Sequence, residues 1–153
     1  MKHLLLTLTL VLFFATTFIG CNKGDGITGN GITPGSTVVG KWRHVKTDEY
    51  INGVFDQTYT PTGANSSCPN YIEFKNNGTY AAIEHNGNCS SYTTVEAGTY
   101  DYHDSRLSMT ESGASTTDIY TVITLTNTDL KMEQTHTSSS TVYKIVIYLK
   151  KIN

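Results

Sequence analysis

Charge is scarce in this chain of 153 residues, and it never gathers into a run of one sign. Only 16% of the residues are Asp, Glu, Lys or Arg, and the formal net charge is -2 at pH 7. Proteins that hold nucleic acid or anionic lipid through electrostatics carry clustered basic side chains. The composition therefore argues against a nucleic-acid footprint and against a patch for anionic lipid.

Sequence signatures of catalysis are also missing. The chain contains neither Gly-x-Ser-x-Gly nor His-Glu-x-x-His. Its later histidines, at positions 44, 85, 103 and 136, fall on four different predicted strands or strand ends. A metal site would need them to converge, whereas ordinary core or surface histidines are far commoner. We expect no enzyme activity, no metal and no cofactor.

The apolar run from Leu4 to Phe18 is too short to cross a bilayer as a mature helix. It follows the basic residue Lys2 and closes at Phe18-Ile19-Gly20-Cys21, which suits the core of a signal peptide. Two interpretations are open at this point. The segment is either an ordinary secretory signal followed by an unmodified cysteine, or a signal in which Cys21 itself has a function.

The stretch Phe18-Ile19-Gly20-Cys21 resembles the lipobox of bacterial lipoproteins. The resemblance implies that residues 1–20 are a lipoprotein signal peptide and that Cys21 is lipidated. It also implies a protein anchored by lipid in the cell envelope, in the outer membrane of a two-membrane bacterium, facing the periplasm or the outside. The membrane would then be a partner through the N-terminal lipid.

Residues 21–37 are rich in glycine and contain almost nothing to bury. We interpret this segment as a flexible tether with a reach of roughly 20 to 25 Å. Residues 38–153 are long enough for one domain with a modest core, and we expect a monomer.

The sequence predicts β-structure nearly throughout the domain, because Thr, Tyr, Val and Ile are abundant and turn signals recur at short intervals. Tight turns between consecutive strands indicate an antiparallel meander, which hides its edges best by closing on itself. The predicted strands are 39–50, 54–60, 71–75, 79–85, 92–102, 106–111, 118–125, 130–136 and 141–151.

Cys68 and Cys89 are the two cysteines that remain once Cys21 carries lipid. An exported chain with an even remainder favours a disulfide. The hairpin predicted around Asn77-Gly78 places both cysteines near its open end, within reach of each other. A metal site or redox site built from both cysteines would require closely spaced cysteines or nearby histidines, and the sequence has neither.

Several short sequence motifs resemble those of small bacterial lipocalin-like domains. Val39-Gly40-Lys41-Trp42 is similar to the Gly-x-Trp signature, and Tyr71-x-x-Phe74-x-x-x-Gly78-x-Tyr80 and Gly98-x-Tyr100 look like hairpins of that family. The resemblance spans roughly residues 38–151. It implies an all-β fold, an antiparallel up-and-down β-barrel of about eight strands, and a carrier or sensor of a small hydrophobic or amphipathic ligand.

Strand alternation suggests which side chains line such a barrel. The candidates for contact with a ligand are Trp42, His44, Phe74, Tyr80, Tyr100, Met109 and Tyr143. For any single one of these residues, packing in a filled core is the commoner explanation. The set as a whole favours a pocket, because tyrosines and a histidine in a lumen need hydrogen-bond partners. His44 would anchor a carboxylate or hydroxyl of the ligand.

A second functional class stays open, in which the barrel is filled and the domain binds another protein as an inhibitor or assembly factor. Its contact surfaces would be the loops around 60–70 and 111–117. A continuous opening into the lumen would favour the ligand carrier, whereas a packed lumen with an exposed tyrosine-rich patch would favour the protein-binding module.

Overall fold

The computed structural model describes residues 37–62, 67–85 and 89–152, and no helix occurs among them. In that part of the chain, accordingly, no helix is long and apolar enough to cross a bilayer. The predicted signal peptide, Cys21 and nearly all of the tether lie outside the described residues. The strands are β1 (Gly40–Ile51), β2 (Val54–Tyr59), β3 (Tyr71–Phe74), β4 (Thr79–His85), β5 (Tyr92–His103), β6 (Arg106–Glu111), β7 (Asp118–Leu125), β8 (Asp129–Ser138) and β9 (Thr141–Ile152).

Short turns join most of these strands at the predicted positions. Asn52 and Gly53 connect β1 to β2 with φ of 51° and 80°, and Ser139 and Ser140 connect β8 to β9 with φ of 47° and 71°. Two consecutive residues with positive φ suit the twist of a two-residue hairpin. The turn chemistry in the sequence therefore sets the strand boundaries, which lie within two residues of those predicted.

Consecutive strands pair antiparallel from β3 to β9, and β9 returns to pair with β1. This last pairing runs from Lys41 opposite Ile152 to Ile51 opposite Tyr143 and closes a barrel of eight strands. The structure confirms the predicted antiparallel up-and-down barrel.

The ninth strand, β2, pairs only with β1. Residues 40–43 of β1 pair with β3, whereas residues 47–51 pair with β2, so both partners lie along the same edge of one long strand. All six residues of β2 are exposed. The barrel wall is consequently interrupted where the chain passes from β2 to β3.

The core occupies the end of the barrel near Trp42. Trp42, Phe74, Leu107, Val122, Leu125 and Leu130 are buried there with Val38, which precedes β1. Burying a large apolar side chain contributes about 1.5 to 3 kcal/mol, so this cluster supplies much of the driving force for closure. The opposite end of the barrel contains no comparable cluster among the described residues.

Candidate functional site

A cavity of about 640 Å³ lies inside the barrel. At its deep end is Trp42, which is fully buried and donates its indole N–H to the Val38 carbonyl over 2.6 Å. The cavity extends from there to the exposed residues Tyr59, Thr62 and Glu84, so it reaches solvent beside the interruption of the wall. A volume of this size accommodates one small organic molecule.

The inner wall is mostly apolar in its deeper part. Neighbouring strands contribute one or two side chains each, namely Ile72, Met109, Met132, Ile147 and Leu149. Two flexible methionine side chains can adapt their shape to different apolar groups. This part of the cavity suits a hydrocarbon or aromatic moiety.

His44 lies two residues beyond Trp42 on the same face of β1 and also lines the cavity. Its Nε2 is 2.8 Å from the hydroxyl oxygen of Thr47, and its ring centroid is 6.3 Å from that of Tyr59. Burial lowers the pKa of His44 below its ordinary value, against a smaller opposing effect from a hydrogen bond with the Lys46 backbone. The ring is therefore neutral at pH 7.

A β-bulge explains how His44 and Thr47 come to face the same side. The register of β1 against β9 shifts between His44 and Lys46, so one extra residue is accommodated there. Without this shift strict alternation would place Lys46 inside the barrel. With it Lys46 points outward, where its Nζ is 2.8 Å from Asp48 Oδ2, and Thr47 takes the inward position.

Glu96 on β5 places a carboxylate on the inner wall. It lies opposite Ala82 of β4, whose small side chain leaves room for it. The Tyr80 hydroxyl donates to Glu96 Oε1 over 2.5 Å. Burial, followed by this hydrogen bond, raises the pKa of Tyr80 well above its ordinary value. Tyr80 thus remains a neutral donor that orients the carboxylate.

Asp118 and Tyr120 on β7 complete the polar side of the cavity. Gln134 on β8 donates from its side-chain amide to Asp118 Oδ1 over 3.2 Å. Burial, together with the charges of Asp118 and Glu96, raises the pKa of Tyr120 to about 12. The electrostatic potential felt by Tyr120 is therefore negative.

The residues predicted to contact a ligand fall into three groups. Trp42, His44 and Met109 line the cavity. Phe74 and Tyr80 are buried in the core, and Tyr100 packs edge-on against Phe74 at a centroid distance of 4.9 Å while donating its hydroxyl to the Lys75 carbonyl. Tyr143 is 44% exposed and lies outside the lining. The structure therefore brings three of the seven candidates together around one space.

The polar side of the cavity was not predicted from the sequence. Glu96 shares a face with Gly98 and Tyr100, and Asp118 shares one with Tyr120, so strand alternation alone contained the signal. Acidic side chains on strands usually face solvent, so neither carboxylate stands out in the sequence as a site residue. In the structure both side chains are exposed to solvent and also line the cavity at its rim.

The Cys68–Cys89 disulfide, present as predicted, lies next to the mouth of the cavity. Its Cα atoms are 5.2 Å apart, within the ordinary range for a bridge. It joins the segment before β3 to the segment before β5, and Asn70 and Pro61 from the same connection line the cavity. The bridge therefore holds one side of the mouth in place.

No group of three or more His, Cys, Asp or Glu residues that could hold a metal occurs in the described ranges. Of the later histidines, only His44 lines the cavity. His103 is exposed, and its Nδ1 lies 2.7 Å from Asp101 Oδ2 on the same strand. The histidines thus do not converge on one another.

A closed antiparallel barrel with an internal cavity that reaches solvent defines the class of small up-and-down barrels. The chain belongs to the family described as the lipocalin-like domain, whose family model matches residues 38–132. This confirms the family resemblance noted in the sequence.

A similar fold occurs in the crystal structure of an uncharacterized protein from Bacteroides eggerthii DSM 20697. The TM-score is 0.51 at 16% sequence identity, and the alignment covers 74% of this chain and 98% of the other. At that identity the likeness concerns the fold alone. No curated protein matches the chain.

Proposed function

We propose that the domain binds one small hydrophobic or amphipathic ligand inside the barrel, as a carrier or sensor. The observation that carries the proposal is the cavity of about 640 Å³, which has an apolar deep end and polar groups nearer solvent. Such a gradient matches a molecule with an apolar body and a polar end. Ligand binding is also the general property that membership of the lipocalin-like family suggests.

Trp42 provides the test, because it is the only tryptophan in the chain and forms the deep end of the cavity. Titration of a neutral hydrophobic dye should quench or shift Trp42 emission with saturation at one dye per chain. A Met109→Phe variant, which places a bulkier ring in the cavity and adds no tryptophan, should weaken dye binding. If saturating dye and a panel of apolar compounds leave the emission unmoved, the proposal fails.

The alternative function, a protein-binding module, is favoured by a different surface. The β1–β2 hairpin exposes Ile51, Val54 and Phe55, with exposed fractions of 37%, 70% and 55%. Exposed apolar side chains of this kind can mark a contact surface. Loss of a partner on Phe55→Ser, with dye binding intact, would support this function in addition to or instead of ligand binding.

The same proposal places the domain on the bacterial cell envelope, anchored through lipid on Cys21. Support comes from the apolar run 4–18 and the lipobox-like ending at Cys21. An open barrel held by a tether near a membrane would exchange amphipathic molecules with that membrane. The anchor and the cavity are separable, and each has its own experiment.

A further inference from the structure

We propose that the ligand carries a positively charged organic ammonium group, held on the polar side of the cavity by Glu96 and Asp118, with its apolar body toward Trp42. This inference rests on the proposed function and specifies the chemical class of the ligand. It replaces the expectation that His44 anchors an acidic group.

The first argument is the sign of the charge inside the barrel. Three carboxylates line the cavity, those of Glu84, Glu96 and Asp118, whereas the lining in the described part of the chain includes no Lys or Arg. His44 adds no positive charge, because burial lowers the pKa of its ring. A ligand carboxylate would therefore meet repulsion, and an ammonium group would meet attraction, at the rim of the cavity.

The second argument is the contrast between the two faces of the barrel wall. On the outer face, some carboxylates have lysine partners: Asp48 has Lys46 at 2.8 Å, and Asp129 has Lys150 at 2.5 Å. Within the described ranges, no lysine forms an ion pair with Glu84, Glu96 or Asp118. The inner carboxylates thus retain acceptor capacity that a cationic ligand would satisfy.

The third argument concerns how these carboxylates are held. Tyr80 donates to one oxygen of Glu96, and Gln134 donates to one oxygen of Asp118, so neutral groups orient both side chains without cancelling their charge. The acids are exposed and border the apolar cavity at its rim. A cation bound there would bury its hydrocarbon part against the methionines at the same time.

Aromatic rings add a fourth, independent feature. Tyr59, Tyr71 and Tyr120 line the cavity together with Trp42. Two of these rings already carry a lysine over one face: Lys41 lies over Tyr71 at 5.2 Å and Lys151 lies over Trp42 at 5.0 Å. An ammonium group is attracted to such ring faces in the same way, most strongly where it is shielded from water. Rings and carboxylates together favour a cation over a neutral alcohol.

The experiment compares three probes with the same straight eight-carbon tail: octylammonium, octan-1-ol and octanoate. The protein is the full chain carrying Cys21→Ser, so that no acyl chain competes for the cavity. Affinities are measured at pH 7 by displacement of a neutral dye and by Trp42 emission. We expect octylammonium to bind about fivefold to tenfold more tightly than octan-1-ol, and octanoate to bind most weakly. Added salt should reduce the advantage of octylammonium.

Two variants test the assigned residues. Glu96→Gln and Asp118→Asn keep an acceptor oxygen for Tyr80 and Gln134, and each should reduce the octylammonium to octan-1-ol affinity ratio about threefold or more. Glu133→Gln is the matched control, because Glu133 faces outward near Lys144 and its loss should leave the ratio unchanged. Retained octan-1-ol binding in each variant shows that the barrel is folded.

The outcomes separate the two proposals. If octanoate binds as tightly as octylammonium, or if Glu133→Gln lowers the ratio as much as Glu96→Gln does, the inference about charge is wrong while ligand binding stands. If none of the three probes binds, the proposed function itself fails.

Discussion

Gly98 lies where β5 runs closest to β6. A Cβ added at this position would overlap the Thr110 carbonyl oxygen and lie 2.9 Å from the Cα of Glu111, and neither backbone atom can move without separating the strands. We expect Gly98→Ala to lower the free energy of unfolding by about 1 to 3 kcal/mol or more, because overpacking forces backbone shifts. Urea denaturation followed by Trp42 emission measures the loss.

Gly53 supplies the matched control for that substitution. It lies in the β1–β2 turn with φ of 80° and no atom within 4 Å of an added Cβ, so Gly53→Ala costs only backbone strain, about 1 kcal/mol. A loss at Gly98 no larger than the loss at Gly53 would contradict the steric argument.

Asp48 gives a prediction that depends on pH. Its carboxylate is buried, accepts hydrogen bonds from Lys46 and from the Thr58 hydroxyl at 2.7 Å, and thereby ties β1 to β2. These hydrogen bonds, that of Lys46 first, hold the pKa of Asp48 below its ordinary value. A depressed pKa in the folded state contributes stability that is fully present above the unfolded value, near 4, and is lost as the pH falls through the folded value.

Asp48→Asn should therefore lower the free energy of unfolding at pH 7, and the difference from the parent protein should shrink as the pH is lowered toward about 2. Urea denaturation at several pH values measures this. Asp56→Asn, at an exposed position of β2, is the control and should show little effect at any pH. A deficit of Asp48→Asn that is equal at both ends of the pH range would rule out the charge as its cause.

Residue by residue, alternation predicted the inward placement of Trp42 and His44 but could not predict that of Thr47. The bulge between His44 and Lys46 reverses which residues of β1 face inward after it, and no local sequence feature predicts this bulge. The charge of the cavity was missed for another reason. An acidic side chain on a strand is assigned to solvent by default, and only the pairing of Glu96 with Ala82 reveals the space that it occupies.

At the scale of elements, the disulfide is the strongest local constraint on the mouth of the cavity. Cys68 and Cys89 are separated by 21 positions, and closing a loop of this length stabilises the folded state by about 3 kcal/mol. Cys68→Ser combined with Cys89→Ser should lower the free energy of unfolding by about this amount and leave the fold intact. Denaturation with and without reductant measures the loss.

The parent protein in reductant is the internal control, since it should then match the double variant. Affinity for a neutral dye should also fall, because the bridged connection contributes Pro61 and Asn70 to the lining. Mass spectrometry after thiol blocking under denaturing, non-reducing conditions would refute the bridge if both thiols prove free.

The elements themselves were largely predictable. Turn residues such as Asn52-Gly53 and Gly78 punctuate runs rich in β-branched and aromatic residues, and all nine strands occur close to their predicted bounds. The role of β2 was not predictable. The sequence of β2 resembles that of the other strands, yet β2 pairs only with β1, at residues 47–51. The reason is the length of β1, which pairs with β3 and with β2 at successive positions along the same edge.

At the scale of the whole molecule, barrel closure depends on a contact between the two ends of the domain. β1 and β9 form an extensive pairing that leaves neither strand with a free edge in the closed part of the wall. From the sequence of a meander alone, barrel closure is expected only because exposed strand edges are generally unfavourable. The prediction of a closed barrel therefore depended mainly on the resemblance to lipocalin-like domains. The family model that matches residues 38–132 supports that resemblance.

The whole protein, as proposed, combines this barrel with a lipid anchor on Cys21. Cys21→Ser removes the sulfur that would carry lipid, so the variant should no longer incorporate an alkyne fatty acid and should leave the washed membrane fraction. A single acyl chain binds membranes only marginally, whereas the two or three chains of a mature lipoprotein hold it firmly, so the shift should be nearly complete. Metabolic labelling and membrane fractionation in the same cells measure both effects.

The matched control makes the same chemical change at the other two cysteines. Cys68→Ser with Cys89→Ser removes thiols from the barrel but should keep both the label and the membrane association, because neither sulfur lies in the lipobox-like stretch. Unchanged labelling of Cys21→Ser would overturn the anchor while leaving the cavity and its ligand untouched. Loss of labelling without release from the membrane would instead point to an uncleaved signal segment, since the apolar run 4–18 would then be what holds the chain.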